Sequence, residues 1–224
     1  SPRSHPKNST ITLSHYEERS VVIAQTHPPN VLPDATVTHI TPDEYRAKEE
    51  IAEECHEYRN GEIIVMPGGS PLHSRIAVDI TTFLNVTLRD TTFETYNGDL
   101  RIWIPRFNCG TYGDVFVIEG EPEFNGDRQD EILNPRLIVE VLSPSTEAYD
   151  RGEKFRKYRS LTSFCEYLLV SQNEPYVEQY YNSDRENENR WQWQVCDRLE
   201  DAIVLQSLNN IELPMREIYR RIEF

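Results

Sequence analysis

The segment RLIVEVLS (Arg136–Ser143) is the strongest constraint in this chain. Its branched apolar residues, bounded by turn formers, read as a strand buried on both faces, and such a strand needs a sheet covered on either side. A glutamate, Glu140, stands in the middle of it. An unpaired buried carboxylate is costly, so an acid in a central strand meets a metal, an Arg or Lys, or an end of the sheet. A second apolar run, GDVFVI (Gly113–Ile118), is entered through another acid, Asp114.

The remaining elements suit such a sheet. TPDEYRAKEEIAEECHE (41–57) begins with a Thr able to cap, a Pro at the first helical position and acids in the first turn, and predicts a helix. GEIIVM (61–66) predicts a short strand followed by the loop PGGSP. Leu72, Ile76, Ile80, Phe83/Leu84 and Leu88 recur at helical spacing and predict an amphipathic helix over about 71–90. DLRIWI (99–104) alternates, as a half-buried strand does. EAYDRGEKFRKYRSL predicts a helix, with Gly152 costing ~1 kcal/mol relative to Ala. EYLLVS, YVEQYY and RWQWQV predict three strands, the last two joined across Asn182–Asn189, and a short helix starts near Pro214. The order predicts an α/β (α+β) fold with extra C-terminal antiparallel strands.

Residues 1–41 differ in texture. They hold five of the 14 prolines and four of the six histidines (His5, His15, His27 and His39). The expectation is a flexible or extended arm carrying solvated histidines, preceding one domain over 42–224.

Composition narrows the function classes. With 23 basic against 38 acidic residues the formal charge is 23 − 38 = −15. That excludes a protein that wraps nucleic acid with its whole surface. No apolar run reaches membrane length, and the first residues lack a hydrophobic signal segment, so a cytoplasmic location is expected. The cysteines at 55, 109, 165 and 196 form no CxxC pair and are expected to be reduced structural thiols.

Lys154 follows Glu140 by fourteen residues, on the helix that folds back from that strand's end. An Asp, a Glu and a Lys from neighbouring elements can together bind Mg²⁺ and orient an attacking water, as phosphodiester hydrolysis requires. The competing reading is a buried ion pair of Glu140 with Arg136 or Arg151, Asp114 capping its strand. Spacing leaves both open.

LIVEVLSPSTEAYDRGEKFRKYRSLTSFCEYLLV closely resembles the Uma-two family, restriction-endonuclease-type proteins of the PD-(D/E)XK nuclease superfamily. HEYRNGEIIVMPGGSPLHSRI, YNGDLRIWIP, YGDVFVI and ELPMREIYRRIEF occur in the expected order, so the resemblance covers about residues 42–224. It implies a twisted mixed sheet flanked by helices, with a divalent-metal site at the sheet's split end. Carried over by position, the first acid is Asp114 and the second Glu140. Leu142 stands where the superfamily's lysine is usual, and Lys154 resembles its migrated replacement. Glu62 matches a family acid that assists the metal. Asp99 and Glu57 match further acids, and His73 a family histidine that either touches phosphate or caps its helix. Gly113 replaces the family's usual Pro before the first acid.

The resemblance implies a metal-dependent endonuclease acting on DNA with Mg²⁺ or Mn²⁺. A non-catalytic nucleic-acid-binding or assembly protein, and an RNase or other phosphodiesterase, are the alternatives. Arg151, Lys154, Arg156, Lys157 and Arg159 crowd one short helix. Arg151, Arg156, Lys157 and Arg159 are candidates for phosphate or DNA contacts, and a solvated cationic helix is the plainer reading. DNA binding is expected to be weak and salt-sensitive, and a homodimer is expected because two cuts on a duplex need two sites.

Overall fold

The computed structural model describes residues 39–184 and 190–224. The expected arm falls almost wholly outside these residues, as does most of the connection at 182–189.

Thr41 caps α1 (Pro42–Glu49) in a reciprocal capping box with Glu44. The helix stops at Glu49, short of the expected 41–57. Glu49 instead receives the His56 backbone N–H at 2.8 Å and faces its ring at 3.0 Å. His56–Arg59 then forms β1, antiparallel to β2 (Glu62–Val65). The positive φ of Asn60 and Gly61 makes this tight turn possible. Next come α2 (Pro71–Thr87), β3 (Phe93–Asn97), β4 (Arg101–Ile104), β5 (Cys109–Thr111), β6 (Val115–Glu119), β7 (Glu131–Ile132) and β8 (Pro135–Val141).

A continuous helical stretch follows β8: α3 (Glu147–Tyr149), a π-helical turn (Asp150–Lys154) and α4 (Phe155–Tyr158). Then come β9 (Glu166–Val170), β10 (Val177–Tyr181), β11 (Gln192–Cys196), a hairpin of β12 (Ala202–Leu205) and β13 (Ile211–Pro214), and α5 (Met215–Ile218).

Two mixed sheets result. The six-stranded sheet has the order β11-β10-β9-β8-β6-β3 and is antiparallel except for β8 and β9. The five-stranded sheet has the order β2-β1-β5-β4-β7, its β4–β7 pair parallel.

Side-chain alternation along β8 separates two cores. Leu137, Val139 and Val141 face α2, α5 and the β12–β13 hairpin, packing with Ile76, Ile80, Leu84 and Met215. Ile138 and Leu142 face the other way, toward Ile102, Ile104 and Cys109 of the five-stranded sheet and Tyr158 of α4. Glu140 shares that second face, so the period of two aims it into the space between the sheets.

The alternation expected along 99–104 does not appear, since all of β4 is buried. Arg101 is tolerated there because it pairs with Asp130 at 2.5 Å and Glu131 at 3.4 Å. All four cysteines are free, with Cys109 and Cys165 buried and Cys55 exposed. No helix among the described residues is long and apolar enough to cross a membrane.

Candidate active site

β6 and β8 are antiparallel with Val115 opposite Val139, which puts Asp114 at the strand end facing Glu140. Here a side chain extends the ladder: Asp114 Oδ2 accepts the Val141 N–H at 2.7 Å. The same oxygen lies 3.2 Å from His73 Nε2. His73 reaches it from the first turn of α2, whose N-cap Ser70 accepts the His73 N–H. Gln172 ties this helix start to the end of β8, accepting from the Ser70 hydroxyl and donating to the Leu142 carbonyl.

Glu140 is 3% exposed and Lys154 4%. Lys154 Nζ stands 2.8 Å from Glu140 Oε1 and donates to the Tyr112 carbonyl at 2.9 Å. The Tyr158 hydroxyl donates to the same Glu140 oxygen at 3.0 Å. Asp150 and Glu57 complete the ring around the ammonium, at 3.6 and 3.9 Å. Burial disfavours the charge on Lys154, but Glu140, Glu57 and Asp150 outweigh it and hold the ammonium well above its ordinary value. Burial pushes Glu140 well above the carboxylate range, with Lys154 opposing and Asp150 and Asp114 adding repulsion.

The π turn supplies both Asp150 and Lys154. A wide turn of this kind inserts a residue into an α-helix and recurs at functional sites. Gly152 stands within it with open space around its Cβ position.

Glu57 arrives from β1 across the five-stranded sheet. It accepts from the Thr111 hydroxyl at 2.5 Å and from Arg59 Nε at 2.9 Å. The Arg59 guanidinium lies over the Tyr149 ring, 3.8 Å from its centre. Burial pushes Glu57 up, yet Lys154, Thr111 and Arg59 together hold its carboxyl below the usual range.

Asp114, His73, Glu140, Lys154, Asp150 and Glu57 line one open cleft of about 790 Å³, to which Ile64–Ser70 and Ser143–Thr146 also contribute. Among the described residues no three His, Cys, Asp or Glu side chains form a ready-made metal cage. Asp114 and Glu140 nevertheless offer hard oxygen donors, and Mg²⁺ is commonly held by one or two carboxylates while keeping several waters. The donor set fits such an ion.

Residues 42–216 match the family profile Uma2, described as "Putative restriction endonuclease". The chain belongs to the Uma2 family. Two relatives from Synechocystis sp. (strain ATCC 27184 / PCC 6803 / Kazusa) are 38% identical to it. Uncharacterized protein sll1609 matches over 146 residues, 65% of this chain and 82% of that protein. Uncharacterized protein slr1290 matches over 192 residues, 86% and 97%. A crystal structure from Anabaena variabilis, titled "a putative nuclease belonging to DUF820", superposes with a TM-score of 0.64 at 19% identity, covering 82% of this chain and 99% of that one. At that identity the likeness shows a shared fold, the restriction-endonuclease-like fold expected from sequence.

In this Uma2 chain Asp114, Glu140, Lys154, His73 and Glu57 meet in the cleft. Glu62 does not. It stands opposite Arg59 at the solvent end of β2, exposed, and the register gives the central place to Glu57. Asp99 is also elsewhere, holding the Asn97 amide in the exposed β3–β4 turn. The helix cations do not line the cleft either. Arg151 pairs with Glu147 and Glu178, Lys157 with Glu153, and Arg156 and Arg159 lie over the rings of Phe107 and Phe155. The helix turns those positions away while Lys154 points inward. The ion pair weighed for Glu140 exists, with Lys154 rather than Arg136 or Arg151 as its partner.

Asp150 was missed by sequence reasoning, although an Asp and a Lys four apart beside a Gly carried the signal. Gln172, far along the chain, carried none. Ser143 makes the helix-entry turn, its hydroxyl 2.9 Å from that of Thr146.

Proposed function

We propose that this chain is a metal-dependent endonuclease hydrolysing phosphodiester bonds in DNA. One observation carries the reading: Lys154 is delivered from a separate helix to 2.8 Å from Glu140, beside Asp114, at the floor of an open cleft. Asp114 and Glu140 would hold Mg²⁺ or Mn²⁺. When bound, such an ion supplies Lewis-acid polarisation of a phosphoryl oxygen and lowers the pKa of a bound water.

The chain's own groups do the rest. The Val141 N–H and His73 fix Asp114 from two sides, so its carboxylate is oriented before substrate arrives. Charged Lys154 donates hydrogen bonds: it orients the attacking water and offsets charge developing on the phosphate. Ringed by Glu140, Asp150 and Glu57, Lys154 serves as an electrostatic group. Glu57, held by Thr111 and Arg59, keeps the ammonium central.

The test is nicking of supercoiled plasmid with Mg²⁺ or Mn²⁺ by the purified protein and by Asp114→Ala, Glu140→Ala and Lys154→Ala. Activity should vanish in each variant, and equal activity in all four preparations would mark a contaminant. Parallel assays on RNA decide the polymer, and sedimentation of the active species decides whether two copies act together.

A second reading rests on Glu140 Oε1, which already receives both Lys154 and Tyr158. It makes the cluster a structural ion pair in a non-catalytic binding protein. The absence of divalent-ion binding at millimolar concentration would favour it.

A further inference from the structure

We infer that the substrate is an unpaired polynucleotide strand, lying through the cleft and out past Asp114 along α2. This rests on the nuclease reading and names the form of its substrate.

Three observations carry it. First, the cleft does not end at the acids. A second depression of about 440 Å³ shares Gly69, His73 and Asp114 with it and continues between the outer face of α2 (Ala77, Val78, Thr81) and the β3–β4 turn at Asn97–Gly98. Asp114 therefore stands at the junction of two connected hollows, and a chain bound there can enter on one side and leave on the other.

Second, among the described residues the path offers fewer free cations than a duplex demands, with twice a single strand's charge per unit length. Double-stranded DNA carries one negative charge per ~1.7 Å, and its binding is dominated by Lys and Arg on phosphates. The cleft has two such cations, Arg59 and Lys154, and both are paired with carboxylates, at 2.5 and 2.8 Å. The second hollow has none among the described residues that line it. The helix cations pair with acids or lie on aromatic rings away from the cleft.

Third, the lining suits sugar and base. Ile64 and Met66 bring apolar surface to the cleft, and the Arg59 guanidinium stacked on the Tyr149 ring adds a flat one. Bases stack on such surfaces only when unpaired.

The experiment compares one labelled oligonucleotide as a single strand and as a duplex, in DNA and in RNA, by fluorescence anisotropy at low salt and by cleavage with Mn²⁺. The single strand should bind at least tenfold tighter than its duplex, and circular single-stranded DNA should be cut, since no end is needed. Val78→Trp, at an exposed position, should weaken single-strand binding at least fivefold by filling the second hollow. Thr82→Trp on the same wall serves as an independent check.

Equal or tighter duplex binding, or no binding of either form, overturns the inference. Unchanged affinity in both Trp variants overturns the path along α2. Tight single-strand binding without cleavage of any phosphodiester sinks the nuclease reading and leaves the strand preference standing. The DNA and RNA arms distinguish the two sources of such a strand.

Discussion

Lys154 Nζ lies 2.8 Å from Glu140 Oε1 in a site where both residues are almost fully buried. Removing one partner of such a pair leaves an uncompensated charge, typically at a cost of about 3–5 kcal/mol. Lys154→Met should therefore lower the unfolding free energy by that order in urea titrations. Combining it with Glu140→Gln should recover part of the loss, whereas additive losses would show that the pair is not coupled. Nuclease activity should disappear in the single and the double variant alike.

His73 gives stability a dependence on pH. Its contact with Asp114 raises its pKa above the ordinary 6.5, although burial works the other way. A raised value means that the pair's contribution is complete below about pH 6.5 and disappears as the pH climbs through the folded value. His73→Gln should flatten the stability curve in that upper window and lower it below about pH 6.5, where the pair's contribution is complete. An NMR titration of the His73 ring should give a midpoint above that of an unfolded peptide.

Glu57 and Glu62 make a discriminating pair, because both match family acids and only Glu57 lines the cleft. Glu57→Gln should lower kcat about 10–100-fold, the usual effect of losing a group that orients the reacting residues. Glu62→Gln should stay within about twofold on the same scale of surface effects. Glu57 also contributes stability, with a pH dependence opposite to that of His73. Its lowered pKa gives a gain present above pH 4.5 and lost as the pH falls through the folded value. Urea midpoints measured downward from pH 6 should fall earlier in wild type than in Glu57→Gln.

Gly113 precedes Asp114 in a buried position. A Cβ built there would approach Ile138 Cγ2 to 3.0 Å. Gly113→Ala should cost about 1–3 kcal/mol by overpacking, and Gly113→Pro should cost no less, since its ring carries the same Cβ. Thermal unfolding of the two variants measures this.

The helix cap at Thr41, the 71–87 helix and the β6, β8 and β9 strands were legible because each is written locally, in caps or in periodicity. β1, β3, β5 and the β12–β13 hairpin were not, being short and dependent on distant partners. The acids in apolar strands were legible for the same local reason: Glu140 interrupts a run that has no other polar residue. Which auxiliary acid belongs to the centre was hidden. Glu57 and Glu62 look alike in sequence, and only the antiparallel register of β1 with β2 and β5 separates them.

The five clustered cations of RGEKFRKYR illustrate the division best. Local chemistry says that this segment is helical and basic, because propensity and charge act over one or two turns. Where each cation points depends on the added residue of the π turn and on acids brought from β10 and β1, so Arg151 meets Glu178 while Lys154 meets Glu140, Asp150 and Glu57. Patterning says which residues are buried. Which charges meet once buried is a matter of three-dimensional register, because partners in a low-dielectric interior are chosen over ångströms and not along the chain.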